Sequence, residues 1–139
     1  MFITLETDYA VRIVSCLSRA GDRLDAASIA ERTGVTLRFS LKILRKLVGA
    51  GIVRSFKGAH GGYELSRPPA DITLRQVVEV IDGPIALARC VSGQYTCSHP
   101  PENADCGCYF NGVFQELSEL VKNKLDIVNF DLKKFPQTD

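Results

Sequence analysis

Residues 36–65 read "TLRFSLKILRKLVGAGIVRSFKGAHGGYEL". The first half has helical periodicity. Thr36 can cap it, and Leu37, Leu41, Leu44 and Val48 fall at i, i+4, i+7 and i+11, which predicts a core-facing stripe. Arg38, Lys42 and Arg45 repeat this spacing one residue later and form a basic stripe roughly 100° around the helix. Gly51 is expected to end it. In the second half, Ile52, Val53 and Phe56, then Tyr63 and Leu65, have strand character on either side of "KGAHGG", which reads as a hairpin tip. A basic helix running into a glycine-tipped hairpin is the half of the pattern that decides the fold.

The preceding residues supply the other half. A first helix is expected from near Thr4, with Glu6 and Asp8 at the positive end of its dipole. Leu5, Tyr9, Ile13 and Cys16, with Ala10, Val14 and Leu17 beside them, give it an apolar face that stops at Gly21. Cys16 on that face reads as plain core. Asp25 can cap a short helix, "AASIAERT", that ends at Gly34. Three helices, the third basic, followed by a hairpin make a winged helix-turn-helix.

After Pro68 and Pro69, Thr73 and Gln76 fit a capping box for a fourth helix with Leu74, Val77, Val78 and Ile81 on one face, stopped by Gly83-Pro84. A last long helix is predicted from about Tyr109 to Asn129. Phe110, Val113, Phe114, Leu117, Leu120, Val121 and Leu125 recur on it at helical spacing. So wide an apolar face after a complete small domain calls for a partner, and a second copy of the same helix is the natural one. The predicted class is mainly α with a small β wing. It divides into a winged helix-turn-helix over 1–83, a cysteine-rich loop over 84–108, and a dimerisation helix with its tail over 109–139.

The net charge is +1, but it is divided unevenly. Residues 1–70 hold 11 basic against 6 acidic residues, whereas residues 71–139 hold 6 against 10. From Arg32 to Lys57 there are seven cations and no acid. A basic segment in a nearly neutral chain suggests a local anionic partner, and double-stranded DNA suits a basic helix that fits the major groove. Arg38, near the start of the helix, is the candidate for a base edge; Thr36, Ser40, Lys42 and Arg45 are candidates for phosphates or bases, and Lys57 and His60 can reach from the wing. A protein-binding winged helix with a solvated basic face is the alternative.

Cys90, Cys97, Cys106 and Cys108 are four of the five cysteines, and they are separated by six, eight and one residues. The N-terminus lacks the pattern of a signal peptide and no apolar run reaches membrane-spanning length, so a cytoplasmic location with reduced thiols and no membrane partner is expected. There, clustered thiols point to a metal or redox group. The spacing is not the paired C-x-x-C of a zinc ribbon, and it leaves an iron–sulfur cluster, zinc and reversible disulfides all open. A small thiol or iron–sulfur redox enzyme is the rival from another class. Against it stands the absence of a nucleotide-binding glycine motif, a C-x-x-C pair or a recognisable catalytic triad, so no catalytic residue is assigned.

The stretches "DYAVRIV", "IAERTGVT", "ILRKLVGAGIVRSFKGAHGGYELSRP", "ITLRQVVEVIDG" and "RC" at 89–90 occur in this order over nearly the whole chain. They resemble the IscR/NsrR/CymR family of bacterial winged-helix transcription regulators, with G-x-x-G-G-Y-x-L of the wing as the most specific piece. The resemblance implies a homodimer on a roughly palindromic operator, controlled by an iron–sulfur cluster, 2Fe–2S or 4Fe–4S, that senses iron, redox state or nitric oxide. It implies Cys90, Cys97 and Cys108 as cluster ligands. Asn111 stands where the IscR branch has a histidine. Asp8 of the partner subunit, as in the NsrR branch, or Cys106 then competes for the fourth position, with His99 behind them. CymR-like members lack these cysteines, so a zinc-binding or thiol-redox regulator of the same fold is the alternative.

Overall fold

The computed structural model describes residues 3–93 and 108–134. Local chemistry sets most helix ends. Helix α1 (Leu5–Ala20) begins where Thr4 Oγ1 accepts the Thr7 N–H at 3.2 Å and ends at Gly21, whose φ of 62° places it in the left-handed region. Helix α2 (Ala26–Thr33) is capped by Asp25, which accepts the Ser28 N–H at 2.7 Å. These backbone bonds hold the Asp25 carboxyl below its usual pKa. Helix α3 (Leu37–Gly49) starts at Thr36 and passes through Ala50 and Gly51 into the wing, β1 (Val53–Phe56) and β2 (Gly62–Leu65). The strands pair antiparallel with Val53 opposite Leu65 and Phe56 opposite Gly62. Helix α4 (Leu74–Asp82) opens with the expected reciprocal capping box of Thr73 and Gln76. Helix α5 (Tyr109–Ile127) follows Cys108 and ends two residues before the predicted boundary.

One apolar core joins α1 through α4 to the wing. Ala10, Ile13, Val14 and Leu17 of α1 meet Ile29, Ile43, Leu44, Leu47, Ile52, Val53, Ile72 and Val77, all essentially sealed from water. The chain beyond α5 returns to this core. Phe130 is buried in it, its N–H donates to the Pro69 and Ile72 carbonyls, and its own carbonyl accepts from Ser18 Oγ at 2.6 Å. Leu74 N–H donates to the Val128 carbonyl at 2.8 Å beside a bridge between Thr73 and Asn129.

Two expectations about helix faces are corrected. On α3 the core takes Ser40, Ile43, Leu44 and Leu47, whereas Leu37 and Leu41 are 48% and 41% exposed and Val48 is half-buried. Two overlapping apolar stripes fit this helix, and the three-dimensional core selects the one centred on Ile43 and Leu47, turning Leu41 outward among the cations. On α1, Cys16 is half-buried at the rim rather than in the core. It lies beside Arg19 and Arg32; burial pushes its thiol pKa up, and the two guanidinium groups only partly oppose this. Among the described residues no helix is long and apolar enough to cross a membrane.

Candidate nucleic-acid interface and cysteine segment

Helix α3 presents Arg38, Leu41, Lys42 and Arg45 on its exposed side. Among the described residues no carboxylate lies within ion-pair distance of Arg38, Arg45 or Lys57, so these charges are available to an anion. Lys42 differs. Its Nζ is 3.7 Å from Glu6 Oε1, and Lys46 Nζ, one turn on, is 2.8 Å from the same oxygen. Thr36 is exposed while its hydroxyl accepts the Phe39 N–H at 3.3 Å as the helix cap. Ser40 is corrected as a contact residue: it is fully buried and its hydroxyl donates to the Val35 carbonyl. Counting residues could not separate Ser40 from its exposed neighbours, because a serine is equally at home on either face.

The wing is fastened to the α1–α2 turn. Leu24 and Tyr63 exchange both backbone hydrogen bonds, at 3.0 and 2.7 Å. Gly62 permits this approach: its φ is 142°, and a Cβ there would sit 2.6 Å from the Leu24 carbonyl oxygen. Arg23 stacks its guanidinium 3.4 Å from the centre of the Phe56 ring and donates from Nη1 to the His60 carbonyl at 3.1 Å. Arg54 pairs with Glu64 across the strands at 3.0 Å. The hairpin tip is thereby held from below, with Lys57 and His60 exposed upon it.

Cys90 lies half-buried in a short helical turn over 89–91, and Cys108 is exposed at the mouth of α5. Asn111 Nδ2, in the first turn of α5, donates to the Cys90 carbonyl at 3.3 Å, so these two cysteine-bearing segments meet at one end of the helix. The residue that replaces the expected histidine thus has a structural bond of its own. Both cysteines are free thiols. As soft donors they fit iron–sulfur ligation. Asp8 is paired within its own chain to Arg12 at 2.9 Å. Cys97, Cys106 and His99 lie outside the described residues, and among the described residues no three His, Cys, Asp or Glu side chains gather as a metal group. Along α5, Phe110, Phe114, Leu117 and Leu120 are exposed, with Val113, Val121 and Leu125 half-buried.

Residues 3–132 match the family described as "Rrf2: Iron-dependent Transcriptional regulator". The chain belongs to the Rrf2 family. It has a winged-helix fold, in a family of transcriptional regulators rather than enzymes. It is similar to Protein aau3 of Rhizobium meliloti, 38% identical over 99 residues that make up 70% of this chain and 64% of that protein. It is also similar to a putative rrf2-like HTH-type transcriptional regulator of Rhodobacter capsulatus, 33% identical over 83% of this chain and 80% of the relative. The chain therefore spans just under two thirds of the first relative and more of the second. Among solved structures, CymR of B. subtilis superposes with a TM-score of 0.77 at 23% identity, covering 99% of both chains. IscR of T. potens gives 0.72 at 23% identity, over 96% of this chain and 87% of that one. These two likenesses show the fold.

In this Rrf2 protein, sequence reasoning missed two residues at the candidate interface. The spacing of Leu41 predicts a core position, and only its exposure places it between Arg38 and Arg45. Glu6 reads as a helix-start acid, and nothing in the sequence signals that it reaches lysines of α3, forty residues away.

Proposed function

We propose that this regulator binds double-stranded DNA as a homodimer, entering the major groove with α3 and bracing the backbone with the wing, under the control of an iron–sulfur cluster. The observation that carries the DNA reading is the set of exposed cations Arg38, Arg45 and Lys57, unpaired among the described residues, with the wing tip fixed by Arg23 and Gly62. Arg38 near the start of α3 suits a guanine edge, and the exposed Leu41 suits a thymine methyl. Lys42, Arg45, Thr36, Lys57 and His60 suit phosphates. Pairing of α5 about a twofold axis would cover Phe110, Phe114, Leu117 and Leu120 and make the operator roughly palindromic.

Cys90, Cys97 and Cys108 would hold the cluster, with Asp8 of the partner subunit or Cys106 as the fourth ligand. When bound, such a cluster supplies ligation that oxidants, nitric oxide or iron loss can undo. The chain's own part is to bring the Cys90 turn and the start of α5 together through Asn111, so that the ligating segments share a rigid element with the dimer helix. Release of the segment could then alter the separation of the two recognition helices.

A thiol-based reading has its own support. CymR, the global cysteine regulator of B. subtilis, shares this fold over 99% of both chains. Iron and sulfide content of anaerobically purified protein separates the two readings. A coloured, iron-loaded protein that C90A or C108A bleaches supports the cluster; a colourless, iron-free protein whose DNA binding responds to thiol oxidation supports the alternative. For DNA, replacing Arg38 with Ala is expected to cost roughly 1–3 kcal/mol at the base pair that it reads. Unchanged gel-shift affinity across R38A, R45A and K57A would remove this surface from the assignment.

A further inference from the structure

Glu6 lies in the first turn of α1, yet its carboxylate works on another helix. Oε1 accepts a hydrogen bond from Lys46 Nζ at 2.8 Å, and Lys42 Nζ is 3.7 Å away. Lys42 and Lys46 stand one turn apart on α3, on the flank of the face that carries Arg38 and Arg45. Among the described residues, Glu6 is the carboxylate that pairs with cations of α3. A pair this exposed contributes little to folding. Its effect on an approaching polyanion is larger, because a phosphate at Lys42 must either displace Glu6 or tolerate a like charge within a Debye length.

A second carboxylate, from α4, holds the turn of α1 that carries Glu6. Asp82, the last residue of α4, accepts from Thr4 Oγ1 and from Thr7 Oγ1, both at 2.7 Å, and from the Thr4 N–H at 3.4 Å. Thr7 is fully buried and Asp82 half-buried, so this carboxylate grips α1 at the rim of the packed interior, with one bond reaching into it. Asp82 also ends the helix that leads through Gly83 into the segment bearing Cys90. One side chain thus joins the last turn of α4, at the edge of the cysteine segment, to the turn of α1 that presents Glu6 to the recognition helix.

We infer that Glu6 is an internal competitor for DNA phosphate on the recognition face, and that Asp82, through Thr4 and Thr7, is the positioning residue that holds Glu6 against Lys42 and Lys46. The inference rests on the DNA-binding reading above and adds to it a residue that sets how much of the positive charge of α3 is offered to DNA. It also gives a displacement of the end of α4 a short physical route to that charge.

The test uses the full chain and a short DNA duplex of random sequence, because the competition acts on the sequence-independent part of binding. Affinity is read by fluorescence anisotropy between about 50 and 200 mM salt. E6Q is expected to bind several-fold more tightly at the low end. It should also steepen the plot of log affinity against log salt by roughly 0.9 for each phosphate newly engaged. D82N is expected to move both quantities in the same direction, and D82N/E6Q to match E6Q, since a released positioning residue has nothing further to release. T7V, which removes one of the two hydroxyl bonds, takes the place of D82N should that variant fail to fold. An unchanged slope and affinity in E6Q overturns the competition. Effects of D82N or T7V that add to those of E6Q, or that lower affinity, overturn the positioning role. R38A/R45A is the control: if wild type and this variant bind alike, or wild type shows no salt-dependent binding, the DNA-binding reading fails and the inference falls with it. Weakening in R38A/R45A beside an unaltered E6Q rejects the inference alone.

Discussion

Helices α3 and α5 are both amphipathic, and the molecule treats them in opposite ways. The apolar stripe of α3 is consumed within the chain: Ile43, Leu44 and Leu47 are sealed against α1, α4 and the wing, and its outer face is left to cations. On α5, Ser118 is the buried residue, its hydroxyl accepting the Leu87 N–H at 3.0 Å, while Phe110, Leu117 and Leu120 face water. A helix that has met its core can offer charge to a polyanion. One that has not is stable only if something else covers it, because large apolar side chains left in water forgo the burial energy that ordering them requires.

The comparison breaks most directly in the core. I43A should destabilise the fold by about 2–5 kcal/mol, with a melting temperature that drops equally at all protein concentrations. L117D/L120D should behave differently. It should leave the monomer folded by circular dichroism and abolish the dimer in light scattering, since a charge in an apolar seam goes unpaired. An intact dimer in that variant would place the interface elsewhere, and α3 and α5 would no longer be opposites.

Smaller effects sharpen the picture on the side of α3. In G62A the new methyl group meets the Leu24 carbonyl at a backbone angle that L-residues rarely adopt. A loss of roughly 1–3 kcal/mol is expected, with DNA affinity falling as the wing leaves the α1–α2 turn. Urea unfolding and anisotropy on one preparation measure both, and an unaltered wing variant would mean that Arg23 alone suffices to hold it. The smallest effect concerns Cys16. Its thiol ionises above its ordinary range because it is half-buried, so native protein at about pH 8 should alkylate there more slowly than at exposed Cys108. The sign for stability follows: a thiol whose folded pKa is raised favours the fold while it stays protonated, and that contribution is lost as pH rises through the folded value. Mass spectrometry of iodoacetamide-treated native and denatured chains would reveal equal labelling if the rim around Cys16 is open.

Much of this was legible in the sequence. Asp25, Thr36 and Thr73 announced three helix caps and a fourth helix start lay near Thr4; all four residues cap, because a cap is a contact with a residue three positions on. The hairpin followed from its glycines, and the basic stripe from simple counting. Cys90 and Cys108 enter as ligands, together with Cys97, only through the family resemblance, and no spacing rule shows that Asn111 ties the Cys90 and Cys108 segments.

The sequence by itself determined the order of elements, their ends, and which segment carries the charge, since each depends on neighbours within about four positions along the chain. Only the tertiary structure decided which of two equally apolar stripes of α3 turns inward, that Ser40 is buried and Leu41 exposed, and that Phe130 returns to the core. It also decided that Glu6 meets Lys46 while Asp82 holds Thr4 and Thr7. These outcomes rest on which surfaces meet across the core. That is settled by packing shape and by the satisfaction of buried polar groups over long sequence distances, neither of which a local period encodes.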